Sequence, residues 1–215
     1  MLNLTIFVRI AVVMAMLQAG LVNALEIQIV DADKQPLANA AVWLQGDGFD
    51  NKRTTLDYKM EQKDKAFVPH ILMVQAGTQV SFPNLDPILH HVYSFSAAKP
   101  FELKLYRDDP KQVLFDQTGV VELGCNIHDW MLGYIVVVDS PLFAVTDSSG
   151  KVSIDLGAQQ ASALKLNVWH ERFENIDKIE QHALSAVNNT QAITYQIKQT
   201  LVAPLQDFSD GFDDY

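Results

Sequence analysis

Three residues in one short stretch carry donor atoms suited to a redox-active metal. In Cys125-Asn126-Ile127-His128-Asp129-Trp130-Met131, a thiolate, an imidazole and a thioether follow one another at intervals of three. Thiolate and thioether are soft donors that stabilise Cu(I), and imidazole suits both oxidation states of copper. One Cys, two His and a long axial Met together accommodate both states with little rearrangement, which is the donor set of a type 1 (blue) copper centre. The stretch supplies a single histidine, so a second must come from elsewhere in the fold. Two neighbours compete for that place, His90 and His91, in Phe82-Pro83-Asn84-Leu85-Asp86-Pro87-Ile88-Leu89-His90-His91-Val92-Tyr93. Alternation along a strand sends their side chains to opposite faces, so only one reaches a metal unless a bulge intervenes.

Counting donors weighs the rival chemistries. Structural zinc takes four strong nitrogen or sulfur ligands, and methionine is not one of them. A binuclear purple copper centre needs two cysteines, and Cys125 is the only one. A trinuclear oxidase cluster needs paired His-x-His segments, and the six histidines form none. A cysteine hydrolase would set His and Asn or Asp around a low-pKa thiol, and Asp129 with His128 imitates this, but no oxyanion-loop signature accompanies them. The bland alternative is a buried cysteine packing as a small hydrophobe. Trp130 beside the donors could line an apolar docking patch with Ile88 and Leu132 or pack in the core. Asp129 reads as solvated, and His70, His170 and His182 as structural or exposed.

The composition frames this chemistry. A chain of 215 residues with 48% apolar residues can bury one large core or two small ones. Residues 1–24 differ from the rest, with a lone basic residue at Arg9, an apolar stretch from Ile10 to Val22, and Val22-Asn23-Ala24 where a signal peptidase cuts. This reads as an export signal, which predicts a periplasmic protein. The uninterrupted apolar run 10–17 is too short to span a bilayer. No later segment is long and apolar enough to cross a membrane. The whole chain carries a formal charge of −10, and the signal holds no acidic residue, so the remainder is more acidic still. That balance argues against nucleic acid and anionic lipid as partners and favours solubility or a cationic partner. Export normally permits disulfides, yet a single cysteine cannot form one internally. A lone thiol there is chemically exposed unless a metal or burial protects it.

The elements that must position these donors read as strands. Short alternating or β-branched runs recur at 25–30, 38–44, 65–74, 78–82, 91–96, 120–124, 134–139, 152–156 and 164–170, with turn signals between them. Residues 179–187 and 192–198 read as a further pair, with Asn188-Asn189 as a hairpin turn. Such spacing predicts an all-β chain built of sandwiches. The tail 207–215, with four aspartates and one glycine, predicts disorder.

Two resemblances extend this picture. Phe82-x-Asn84, the His90-His91-Val92 segment, Gly77-Thr78-x-Val80-x-Phe82, Gly124-Cys125, Cys125-x-x-His128-x-x-Met131, and Gly133-Tyr134 with its following Ile-Val-Val-Val strand resemble the plastocyanin and amicyanin family of cupredoxins. The two-residue gap between His128 and Met131 resembles the short amicyanin-type loop. The resemblance covers about 80 residues and implies a Greek-key β-sandwich holding one type 1 copper ion through His90, Cys125, His128 and Met131. It puts His91 where the family has an asparagine that braces the loop through backbone hydrogen bonds. It also implies one-electron transfer through the edge of His128 to a redox partner, a cytochrome or a dehydrogenase, without substrate turnover. A copper-holding or assembly subunit is the alternative.

Residues 26–47 and 145–170 resemble the two halves of a carboxypeptidase regulatory-like, transthyretin-like sandwich, here about a hundred residues apart. The chain also resembles methylamine utilization-type periplasmic proteins. The implied organisation is a signal at 1–24, a first sandwich part at 25–54, a copper domain at 55–140 inserted in or packed on that sandwich, a second part at 141–200, and an acidic flexible tail at 201–215.

Overall fold

The chain was analysed as a computed structural model, which describes residues 24–47, 49, 56–157, 163–184 and 192–204. The described residues form strands and no helix, so none is present that is long and apolar enough to cross a membrane. The strands are β1 (Ala24–Val30), β2 (Ala41–Gly46), β3 (Tyr58–Lys59), β4 (Glu61–Lys63), β5 (Ala66–Val68), β6 (Ile71–Gln75), β7 (Thr78–Phe82), β8 (His90–Ser94) and β9 (Phe101–Tyr106). They continue as β10 (Lys111–Phe115), β11 (Gly119–Cys125), β12 (His128–Val138), β13 (Phe143–Val145), β14 (Lys151–Asp155), β15 (Leu164–Trp169), β16 (Glu180–Leu184) and β17 (Ile193–Gln196).

Strand pairing sorts these elements into two groups. Strands β1, β2 and β13 to β17 build two sheets, ordered β14-β1-β17 and β13-β2-β15-β16. Strands β3 to β12 build a five-stranded sheet β6-β12-β11-β8-β9, a facing sheet β10-β7-β3, and the small hairpin β4-β5. No strand pairing among the described residues joins one group to the other.

The five-stranded sheet separates two cores. Along β12, Tyr134, Val136 and Val138 enter one core together with Trp43, Leu44, Leu166 and Trp169. The alternate residues Met131, Ile135 and Val137 enter the other, with Phe82, Phe115, Leu123 and Cys125. Strand β6, parallel to β12, divides likewise, Ile71 and Met73 to the first core and Val74 to the second. Burial on both faces explains why Ile135-Val136-Val137-Val138 is continuously apolar where a half-exposed strand would alternate. The outer strand β14 does alternate, with Val152 and Ile154 inward and Lys151, Ser153 and Asp155 outward.

Several expectations need correction. The single strand predicted at 65–74 is two, β5 and β6, with Pro69 and His70 between them; proline donates no ladder hydrogen bond. Strands β16 and β17 do not pair with each other: β16 lies antiparallel to β15, and β17 runs parallel to β1. The turn proposed at Asn188-Asn189 lies outside the described residues. So do 1–23 and 205–215, and with them nearly all of the expected export signal and the disordered tail. Residues 201 and 202, expected within the flexible tail, are held in place: Leu201 bridges Phe173 and the Val202 amide donates to the Arg172 carbonyl.

Candidate metal centre

The second core ends in a cluster of donors supplied by three strands. His90 opens β8, Cys125 closes β11, and His128 opens β12. The burial of β8 alternates, so His90, Val92 and Ser94 face inward while His91 and Tyr93 face outward. A register shift between His90 and Val92 marks this end of the β8-β9 ladder. A second shift, between Gly124 and Cys125, sets Cys125 opposite His128 across the β11-β12 turn.

The donor atoms converge. Cys125 Sγ lies 3.6 Å from His90 Nδ1 and 3.6 Å from His128 Nδ1. The ligand atoms of His90, Cys125 and His128 all fall within 4.8 Å of one another, and the two imidazole rings are 5.0 Å apart. Among the described residues no other three His, Cys, Asp or Glu side chains converge in this way. With metal bonds of about 2.0 Å to nitrogen and about 2.3 Å to sulfur, the sulfur-to-nitrogen separation is about 3.5 Å in a tetrahedral site and about 3.7 Å in a trigonal one. The observed spacing lies between these, so the three side chains could hold a copper ion where they stand. Met131 is buried in the core that contains Cys125, three residues beyond His128.

The two histidines are held differently. His90 is fully buried, and its Nε2–H donates to Asp86 Oδ2 at 2.8 Å. That proton leaves Nδ1 with a lone pair on the side of the thiol. Asp86 accepts two further hydrogen bonds, from the backbone amides of Asp64 at 2.6 Å and Lys65 at 2.9 Å. Burial raises its carboxyl pKa, but the Lys65 amide, His90 and the Asp64 amide outweigh burial and hold it below the usual carboxylate value. Asn84 shapes the loop: its Oδ1 accepts from the Asp86 amide, and its Nδ2 donates to the Ile88 and Tyr106 carbonyls.

His128 sits at the rim, 9% exposed, with its ring edge-on to Trp130 at 5.3 Å. Burial is the main cause that lowers its pKa, with the neighbouring His90 and Lys65 adding to it against the opposing pull of Asp86. It is thereby favoured as the neutral, metal-ready base. The surrounding loops expose Leu85, Ile88, Leu89 and Ile127.

The other singled-out residues fall elsewhere. His91 pairs with Glu102 on the outer face of the sheet at 2.8 Å, and its carbonyl accepts from the Asn126 amide at 3.0 Å. The brace to the cysteine loop is thus made by main chain, without the asparagine. Leu132 packs against the other core, away from Ile88. His170 spends both ring nitrogens on backbone, at Ala38 and Arg172. His70 pairs with Glu171 at 2.5 Å, His182 stacks near Tyr195, and Asp129 is exposed. Sequence reasoning missed Asp86; its spacing of four before His90 in a Pro-rich loop was the available signal.

No family model matches the chain, and no curated protein matches it. Among solved structures, a purple cupredoxin from Nitrosopumilus maritimus is similar at 22% identity and a TM-score of 0.33, over 38% of this chain and 100% of that one. A copper-containing nitrite reductase from Thermus scotoductus is similar at 21% identity and a TM-score of 0.37, over 51% of this chain and 28% of that one. A reduced Cu(I) form of amicyanin is similar at 17% identity and a TM-score of 0.35, over 44% of this chain and 98% of that one. The expectation that the chain performs no catalysis is corrected here, because an enzyme stands among these neighbours. Function is therefore read from the donor set itself.

Proposed function

We propose that the chain is an exported type 1 copper protein that passes single electrons between redox partners, with His90, Cys125 and His128 as equatorial ligands and Met131 as the weak axial one. The observation that carries this is the 3.6 Å approach of both Nδ1 atoms to one buried thiol. Bound copper would supply a one-electron couple whose two states share one geometry. The chain's own residues do the rest. Cys125 is shielded from oxidants and disulfide exchange by burial. His90 is fixed from behind, and His128 offers its edge at the surface. Leu85, Ile88, Leu89 and Ile127 form an apolar rim on which a partner can settle close to that edge. The outer sandwich serves as a docking or tethering module.

The test is optical and paramagnetic resonance spectroscopy of the copper-loaded full chain, repeated with His90→Gly and His91→Gln. An intense thiolate charge-transfer band that survives H91Q and is lost in H90G is the expected result. A colourless protein that hands Cu(I) to an acceptor sinks the electron-carrier reading and leaves a copper-holding one.

A further inference from the structure

We propose that Asp86 is a positioning residue for the metal centre, and that the β4-β5 hairpin, acting through Asp86 and His90, lowers the reduction potential of the centre. The inference rests on the copper reading above and deepens it.

The hairpin is built against local preference. Lys63 pairs with Ala66, which leaves Asp64 and Lys65 as a two-residue turn with φ of 54° and 57°. Two successive residues at positive φ normally call for Asn-Gly or Asp-Gly, because a Cβ is unfavourable there. Neither residue here is glycine, and both of their amides point at one carboxylate. An outlying backbone that delivers two donors to a buried acid beside a donor cluster is a constraint directed at that acid.

The rest of the hairpin is pinned so that the turn cannot drift. The Gln62 amide donates to the Pro83 carbonyl, and the Gln62 carbonyl accepts from the Leu85 amide, tying β4 to the loop that carries Asp86. Phe67 of β5 lies on Gly133 of β12, where an added Cβ would stand 2.8 Å from the Phe67 Cβ. The hairpin that presents its turn to Asp86 is thus held by the Asp86 loop through Gln62 and by β12 through Phe67.

Two consequences follow for His90. Its tautomer is fixed with the proton on Nε2, leaving Nδ1 as the only basic nitrogen, which faces Cys125. Its imidazole is also made a stronger donor by a full negative charge on the far side, as carboxylates do for metal-bound histidines generally. A stronger donor favours the more highly charged Cu(II) over Cu(I), which lowers the potential. His128 has no carboxylate hydrogen bond of this kind among the described residues. The effect is thus delivered through one ligand.

The experiment uses the full chain, metal-free and copper-loaded, as wild type, Asp86→Asn, Asp86→Glu, and Asp109→Asn as an exposed control with the same charge change. In the metal-free wild type, ring nitrogen shifts should show His90 protonated at Nε2 alone; a mixture of tautomers or a proton on Nδ1 overturns the proposal. In copper-loaded D86N, Cu(II) affinity should fall about 10- to 100-fold. Each tenfold loss not shared by Cu(I) raises the potential by about 59 mV. D86E should recover most of that shift, and D109N should show none. An unchanged potential in D86N, or an equal shift in D109N, also overturns it. Should D86N fail to fold, the wild-type tautomer and the D86E potential still decide. Should the wild type bind copper without a blue band, the carrier reading fails, while the metal-free tautomer measurement still judges Asp86.

Discussion

Two buried carboxylates, one in each half of the molecule, are satisfied in the same way and serve different ends. Asp86 accepts the amides of Asp64 and Lys65 and one side chain, His90. Glu180 accepts the amides of Lys198 and Gln199 and one side chain, the Tyr195 hydroxyl. Both obey the rule that a buried acid must be paired and hydrogen-bonded. The difference lies at the far end of the third partner. Tyr195 ends in the core that holds Trp43 and Trp169, so Glu180 joins β16 to β17 and to the chain that follows it. His90 has a second nitrogen, and that nitrogen faces a thiol. The same network is a fastener in one place and part of a donor set in the other, and only the chemistry of the last group separates them.

The largest test of this contrast removes the thiol. Cys125→Ser should abolish the charge-transfer band and lower copper affinity by at least about a hundredfold, read by titration against a chelator. The Asp86–His90 hydrogen bond should survive, because it does not depend on Cys125. Next, Glu180→Ala strands two amides and a hydroxyl in a buried place and should cost about 3 kcal/mol in urea unfolding. Its copper spectrum should match the wild type; an altered spectrum would erase the distinction between the two carboxylates. Gly124→Ala probes the neighbour of the cysteine without touching a donor. Its Cβ would meet the Tyr93 ring at 2.8 Å, so overpacking should cost about 1–3 kcal/mol.

The smallest effect concerns a contact between the halves, His70 with Glu171. The hydrogen bond to Glu171 raises the His70 pKa above its usual 6.5, against burial. The stabilisation is therefore full below about 6.5 and is lost as pH rises through the elevated folded value. Burial raises the Glu171 pKa, but the His70 hydrogen bond and nearby positive charges outweigh it and leave the value lowered, so the contribution of Glu171 fades only as pH falls through that lowered value. Side-chain exposure of 40% at His70 screens the pair, which limits it to roughly 1 kcal/mol or less. The stability gap between wild type and His70→Gln, measured by unfolding across this range, should narrow toward alkaline pH; a flat gap would remove the pair from the account.

Much of the candidate site was legible because it is local. Cys125, His128 and Met131 lie within seven residues, and donor softness alone suggests copper. Choosing between His90 and His91 needed only strand parity and a family pattern, and the structure turns His90 inward and His91 toward Glu102. For Asp86 the spacing before His90 was the only local signal, and the rest of its meaning depends on amides some twenty residues away in a turn whose Asp64-Lys65 sequence carries no turn signature. The parallel pairing of β17 with β1 was equally hidden: alternation reports which face is buried, not which strand lies alongside. Strands β9 and β10 escaped notice because Phe101–Tyr106 and Lys111–Phe115 each mix charge with apolar residues at an edge of a sheet.

The sheet that walls both cores has a mechanical consequence. A joint between two bodies can hinge only where few contacts cross it, but β12 and β6 are structural members of both sides at once. Bending one half away from the other would break no strand pairing, but it would strip Tyr134, Val136 and Val138 from Trp43, Leu166 and Trp169 and expose a core to water. Force or heat applied to the outer sandwich is therefore transmitted to the strand that ends at His128, and hydrogen exchange along residues 134–138 should report a single cooperative opening for the two halves.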